Sequence, residues 1–477
     1  MSFVDTIDNL FVDAGGYIWW AALAFLVVLG VFFTIKLKGL QLLKIHETSK
    51  LSVSGITEGK KKSKVSSFEA FCIGMGARIG VGNIAGVATA IVTGGPGAVF
   101  WMWIFALIGS ATSFMESTLA QVFKEKKEDG QFYGGPAYYA TKGLGSKKLG
   151  IFVAILLILT FGIGFVGVQA TNATSALTGA FDFEHNDLVF GLIIMIVAGI
   201  IIFGGVKRIA TFSSKVVPVM ALLWIIFALF AIALNWENIG SAFGMIFQYA
   251  FDTPALLGGG IGTAINVGMR RGIFSNEAGL GSVANIAATA DTTHPAKQGM
   301  IQSFGVLVDT IIVCTVTAIV VLSYGSFETI YLTGERGANL VQLVVSDTAI
   351  GSAANYIIAA FMLVFAFTSM IGYYTMSESN VRFIKDTKIS VNTVRIIVLV
   401  TILLSSLVST AMLDHISDTF NALMGLINVI IVGLLSNIAF AVYKDYREQK
   451  KAGIDEPIFH RECLDGMKHA ENITEWE

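Results

Sequence analysis

Charge is scarce in this chain. Asp, Glu, Lys and Arg make up only 14% of its 477 residues, where soluble domains run near 25%. Cysteine is nearly missing. Cys72, Cys314 and Cys463 have no metal-ligand spacing, and Cys72 and Cys314 lie inside apolar segments, so they read as small buried hydrophobes. The six histidines fall mostly in connecting segments, and neither His-Glu-x-x-His nor Gly-x-Ser-x-Gly occurs, which leaves an enzyme without visible machinery. A formal net charge of −2 comes without any basic stripe interleaved with aromatics, so nucleic acid is not an expected partner. The first residues carry Asp5, Asp8 and Asp13 rather than a basic stretch, so no cleavable leader is expected.

What the chain has instead is apolar length. It is 54% hydrophobic with a mean hydropathy of +0.71, enough for ten or more spans of about 20 residues each. The apolar runs predict an all-α, polytopic membrane protein with eleven spans at 16–36, 68–93, 97–122, 149–178, 188–206, 211–235, 260–289, 300–324, 352–377, 392–413 and 418–443. Lysine and arginine cluster at every second connection: Lys36 to Lys64, Lys124 to Lys148, Lys207 to Lys215, Arg382 to Lys388, and Lys444 to Lys451. The positive-inside rule then puts the N-terminus outside and the C-terminus in the cytoplasm of a cell-membrane protein.

Two of these spans are interrupted. Gly74, Gly76, Gly80, Gly82 and Gly86 crowd the first, with Arg78 and Asn83 at the same depth; Gly272, Gly279 and Gly281 punctuate the second, around Asn276, Glu277 and Ser282. Each glycine weakens a helix by roughly 1 kcal/mol, and a freed backbone group in hydrocarbon has no water to bond, so such stretches line a polar cavity. With span 1 set aside, spans 2–6 and 7–11 form two sets of five, each opening on a broken span. Five is odd, so the second set enters from the opposite side, an inverted repeat with its site near the midplane. The expected organisation is a peripheral helix (1–36), a basic loop (37–67), the first repeat (68–235), an outer interfacial linker (236–258), the second repeat (259–443) and a cytoplasmic tail (444–477).

The broken ends offer amides to a carboxylate and carbonyls to a cation. Arg78, Glu116, Glu277, Asp309 and Glu378 are charges within or at the edge of spans, with Arg270 and Arg271 nearby; mutual pairing is the simplest reading, with Glu277 or Glu116 neutralising Arg78. Thr368 and Ser369 are adjacent hydroxyls in span 9 that can coordinate a hard cation or bond their own helix. Gln169 and Asn172 in span 4 can line the same cavity.

The blocks Gly-Val-Gly-Asn-Ile-Ala-Gly-Val-Ala-Thr-Ala (80–90), Gly-Gly-Pro-Gly-Ala (94–98), Gly-Gly-Pro-Ala-Tyr-Tyr (134–139), Phe-Ser-Asn-Glu-Ala-Gly-Leu-Gly-Ser (274–282) and His-Pro-Ala-Lys-Gln-Gly (294–299) resemble the alanine or glycine:cation symporter family, across about residues 15–445. The resemblance implies a LeuT-type 5+5 fold and sodium-coupled uptake of a small neutral amino acid by alternating access. It implies a sodium ion held by the carbonyls of Gly76 and Ile79 and the hydroxyls of Thr368 and Ser369. It also implies a substrate surrounded by Gly80, Gly82, Asn83, Gln169, Asn276, Gly279, Ser282 and Tyr373. The chain departs from the family pattern at Gly372-Tyr373, where Gly-Trp is usual, at Thr375 to Glu378, and at Gln169, which leaves the substrate's side chain open. The competing readings are proton coupling through Glu277, Asp309 or Glu378, and a channel, against which stands the lack of a repeated filter ring.

Overall fold

A computed structural model describes residues 3–54, 64–252, 260–408 and 410–476. It is mostly helical. Helix α1 (Phe3–Lys36) precedes the first interrupted segment, α2 (Ser67–Arg78) and α3 (Ala85–Gly94), joined by a 3-10 turn at Val81–Asn83. Then come α4 (Ala98–Val122), a small hairpin of β1 (Glu125–Lys126) and β2 (Phe132–Tyr133), and α5 (Pro136–Leu144). They are followed by α6 (Lys147–Ala180), α7 (Asn186–Ile202), α8 (Gly205–Leu234) and α9 (Ile239–Tyr249). The second interrupted segment is α10 (Gly260–Asn276) with α11 (Ser282–Ala288). The chain continues with α12 (Pro295–Leu322), α13 (Ala353–Ile384), α14 (Lys388–Ser405), α15 (Thr410–Leu434) and α16 (Ser436–Lys451).

Among the described residues, eight helices are long and apolar enough to cross a membrane. The three expected spans that fall short are the two interrupted ones and α7, at 188–206. Local chemistry explains the starts and stops. Ser66 caps α2, its hydroxyl accepting from the Glu69 amide at 3.2 Å while the Glu69 carboxylate accepts from the Ser66 amide at 2.9 Å. Two of the long helices widen into π-helix, α6 at Thr160–Phe165 and α12 at Val308–Cys314, a departure found mostly at functional sites. At Gly97 a β-carbon would fall onto the Tyr249 carbonyl, so only glycine lets the end of α9 sit on the start of α4. Trp101 also donates to the Ala250 carbonyl there, at 2.9 Å.

Three expectations need correction. The chain is not wholly α: Asp129-Gly130 closes a hairpin in the basic loop, Gly130 taking φ +76° and its amide bonding Lys127 O at 2.9 Å. The expected spans at 392–413 and 418–443 are out of register, for α14 stops at Ser405 and α15 at Leu434. Asp414, between those two expected spans, and Asp418, at the start of the second, both lie inside α15, where Asp418 is ion-paired with Arg270. The linker at 236–258 is helical through α9, and its residues 253–258, like residues 55–63 of the basic loop, lie outside the described residues.

The segment after α16 packs back on the bundle. Phe459, Leu464 and Ile473 are buried in the main core, and the Phe459 ring lies edge-on to His294, which Tyr446 flanks as well. The His294 Nδ1 accepts the Ala296 amide at 3.2 Å and its Nε2 faces Asp445 at 3.0 Å. Burial holds its pKa down to about 4 from an ordinary 6.5, against the pull of Asp445 and with help from Lys297. Protonation at Nδ1 would break the cap. A depressed base contributes its full stability above the ordinary pKa and loses it as pH falls from about 6.5 toward about 4. His294→Asn keeps a capping side chain without the titration. Its melting temperature in detergent should therefore fall less than the parental one over that window; parallel acid slopes would assign the loss elsewhere.

Candidate substrate and cation site

The site begins where α2 stops. Ile79 still bonds the Met75 carbonyl at 2.7 Å, but the Gly80 amide turns back to Arg78 O at 2.8 Å and to Asn83 Oδ1 at 3.0 Å. The carbonyls of Gly76 and Ala77, which a continuous helix would bond to residues 80 and 81, are thereby released. Side chains from two other helices take up what is freed. On α13, the Ser369 hydroxyl donates to Gly76 O at 2.8 Å and the Tyr373 hydroxyl to Ala77 O at 3.0 Å. On α6, Gln169 Oε1 accepts the Val81 amide at 3.0 Å. Leaving one such group buried and unbonded costs about 1–3 kcal/mol.

Close packing fixes the glycines. A β-carbon on Gly80 would stand 2.5 Å from Ser369 Oγ and 2.9 Å from Gln169 Oε1; one on Gly76 would stand 2.9 Å from Val217 and 3.4 Å from Thr368; one on Gly82 would press on the Phe274 ring at 3.3 Å. Thr368 itself bonds back to Phe365 O at 3.0 Å. Gly76, Thr368 and Ser369 are therefore neighbours, and Ile79 closes α2 three residues on.

Asn83 leads into a second group. Its Nδ2 donates to Asp309 Oδ1 at 2.6 Å, and Asp309 Oδ2 accepts from Ser275 at 2.8 Å and from Thr310 at 3.0 Å. The π-helical turn of α12 supplies Asp309 and Thr310, and the end of α10 supplies Ser275. The buried Asp309 carboxylate is thus met by two hydroxyls and one amide N–H, all donating to it.

The second break is built differently. Glu277, Gly279 and Gly281 take φ of +58°, +86° and +72°, so the chain passes through the left-handed region even at a non-glycine residue. Glu116 on α4 receives the amides of Gly279 and Gly281 at 3.3 and 2.9 Å and Asn428 Nδ2 at 2.9 Å. Tyr139 bonds Asn428 in turn. The neighbours of Gly279 are thus Leu26, Thr112, Glu116 and Asn428, a different set from those around Gly80. Asn276 spends its side chain within the protein, on Thr310 and the Ala278 amide, each at 3.0 Å. The Glu277 carboxylate is fully buried, with the hydroxyls of Ser282 and Tyr373 beside it.

Arg78 ties the two breaks together. Its guanidinium, 1% exposed, donates to Asn276 O at 2.8 Å, to Gln302 O and Oε1 at 3.1 and 3.2 Å, and to Ser113 Oγ at 3.1 Å. None of the ion pairs among the described residues includes Arg78: its hydrogen bonds go to neutral acceptors, and Glu277, Asp309 and Glu116 act on its charge from beyond ion-pair distance. Glu378 lies apart, paired with Arg382 at 2.8 Å. Asn172 lies with Arg270 and Arg271 around a separate cavity of about 520 Å³.

The sequence reading missed Ser275, Ser113, Gln302, Asn428 and the aromatic wall. Phe165 stacks on Phe274 at 4.8 Å and meets Tyr373 edge-on at 5.4 Å, with Phe161 packed on both Phe165 and Tyr373. Phe161 and Phe165 bracket the Gly162-Ile163-Gly164 run, a signal visible in the sequence.

Helices interrupted twice, with polar groups converging on both gaps, define a multi-pass membrane transport protein. Residues 4–461 match the profile described as the Sodium:alanine symporter family, and the chain belongs to that family. It is 44% identical over 447 residues to the protein of Bacillus subtilis (strain 168) named "Probable sodium/glutamine symporter GlnT", covering 93% of this chain and 92% of that one. It is 43% identical over 477 residues to the "Amino-acid carrier protein AlsT" of the same organism, covering 100% and 98%. Among solved structures, MhsT in complex with L-phenylalanine superposes with a TM-score of 0.55 at 14% identity, covering 86% of this chain and 95% of that chain. At that identity the likeness shows the fold alone, the LeuT-type fold that the resemblance implied.

The crowding at Gly80 makes a prediction. Gly80→Ala should still insert and fold, because the extended backbone there (φ −122°) is open to an L side chain, but should lose most sodium-dependent uptake as Ser369 and Gln169 are pushed from the break. Uptake at the parental rate in vesicles with matched protein content would show that this contact is not needed.

Proposed function

We propose that this protein is a sodium-driven symporter that imports a small neutral amino acid by alternating access. The observation that carries the reading is the bonding of the released Gly76 and Ala77 carbonyls by Ser369 and Tyr373, side chains that an arriving cation and substrate can displace. The proposed sodium ligands are the carbonyls of Gly76 and Ile79 and the hydroxyls of Thr368 and Ser369. The proposed substrate groups are Gly80, Gly82, Asn83, Gln169, Asn276, Gly279, Ser282 and Tyr373, with Arg78, Glu116, Glu277 and Asp309 as the polar frame. The eleven-span, 5+5 inverted arrangement belongs to the same proposal, as does a cell-membrane location with the N-terminus outside. Its support is the alternation of basic connections and the two broken helices that open the halves.

The side chain of the substrate is set by pocket volume, where one methylene is worth about 1–3 kcal/mol. The deciding experiment is uptake of labelled alanine, glycine, serine and glutamine into proteoliposomes under separate sodium and proton gradients. Uptake driven by sodium alone and saturable in counterflow supports the symporter; flux without counterflow would make it a channel. The fully buried Glu277, beside the Ser282 and Tyr373 hydroxyls, favours proton coupling as the second reading, which predicts uptake driven by a proton gradient and lost in Glu277→Gln.

Joint replacement of Thr368 and Ser369 by alanine should abolish sodium-dependent uptake while expression and insertion stay normal; unchanged sodium dependence would refute these ligands. The orientation has its own check. A cysteine placed at Lys148, with the three native cysteines replaced, should resist a membrane-impermeant maleimide in intact cells and react after permeabilisation. Labelling from outside would overturn the topology and the inverted repeat with it.

A further inference from the structure

We propose that the C-terminal segment 456–476 is a strap on the inner side, joining the two halves of the molecule, which must release one of them each time that side opens. The inference rests on the topology and alternating access proposed above. Gln449 of α16 pins the start of the segment with both ends of its amide, to Ile458 O at 2.7 Å and from the Ile458 amide at 2.9 Å. From there it grips the second half. The Phe459 amide bonds Thr293 O at 2.9 Å, the Thr293 hydroxyl bonds Pro457 O at 3.0 Å, and Lys297 reaches Glu456 at 3.2 Å.

The far end grips the first half. Trp476 donates to Gln121 O at 2.9 Å, Asn472 to Lys142 O at 3.0 Å, and Lys142 to the Thr474 hydroxyl at 3.1 Å. Trp476 also folds back onto Phe459, ring centroids 5.4 Å apart, so the two grips meet. Phe459, Leu464 and Ile473 are at most 2% exposed, which a tail trailing into water has no reason to be.

The first-half anchor is also the clamp on the second broken span. Gln121 Nε2 donates to the carbonyls of Ala287 and Ala290 at 2.5 and 3.0 Å, and the Lys124 ammonium to Ala290 O at 3.0 Å. That ammonium sits over the Trp476 ring at 4.6 Å. The strap therefore covers the clamp that holds the end of α11 to the end of α4. Parting Thr293, which holds Phe459, from Gln121, which holds Trp476, pulls the two grips apart, and removing Trp476 opens the clamp to water.

The test locks the strap in place. In a Cys463→Ser background, Lys142→Cys with Thr474→Cys should form a disulfide on oxidation in proteoliposomes. Sodium-driven alanine uptake should then fall about tenfold or more, as expected when opening limits turnover, and return on reduction. Full uptake by the crosslinked protein overturns the proposal, and failure to form the disulfide removes the contact on which it rests. A second measurement needs no transport and so separates the strap from the symporter reading. Phe459→Ala with Trp476→Ala should raise labelling of a cysteine at Thr289, 1% exposed in this structure, by a maleimide supplied from the cytoplasmic side several-fold. Unchanged labelling overturns the strap whatever the protein carries, whereas raised labelling without sodium-driven uptake would leave the strap standing and the symporter reading refuted.

Discussion

A peptide group released from a helix inside hydrocarbon must find another partner, because no water is there to supply one. Most of the central architecture follows from that requirement. Stopping α2 at Arg78 frees two carbonyls and an amide, and the three side chains that meet them come from helices far away in sequence. Those helices are thereby fixed against the break. The same side chains are the ones a cation or an amino acid would compete with, so the groups that hold the break together are the groups that a ligand exchanges for its own.

The second break meets the requirement with a carboxylate. Glu116 accepts two amides at the start of α11 and holds Asn428, which reaches back to the Gly279 carbonyl. Negative charge suits the amino end of a helix, so this half is held by an internal anion, while the first is held by neutral hydroxyls and an amide. Exchanging a neutral hydroxyl partner is cheaper than exchanging a buried carboxylate.

The sequence shows the breaks themselves, because glycine density and polar residues at one depth are local signals. Gly76, Thr368 and Ser369 could be brought together on resemblance, and they are neighbours. The partners of Arg78 were not legible. Charge invited pairing with Glu116, Glu277 or Asp309, yet Gln302, Ser113 and a main-chain carbonyl are its acceptors, and a carbonyl's availability depends on a backbone course that composition does not encode. The register of α14 and α15 was lost for a related reason. Asp414 and Asp418 look like the boundary between two spans until Arg270, more than a hundred residues earlier, is there to pair with Asp418. The Asp129-Gly130 hairpin, by contrast, was written plainly in two adjacent residues.

Arg78 belongs to the first break, and its acceptors sit on α10, α12 and α4. A guanidinium stripped of acceptors in a medium without water is far costlier than any single contact around it. Neither gap can shift along the bundle without the other following, or without that penalty falling due. A ligand that moves one gap therefore biases the other, and by linkage any such coupling between two ligands is equal in both directions. Obligatory co-transport needs such reciprocity, and one buried arginine that hydrogen-bonds across both breaks provides a physical route to it.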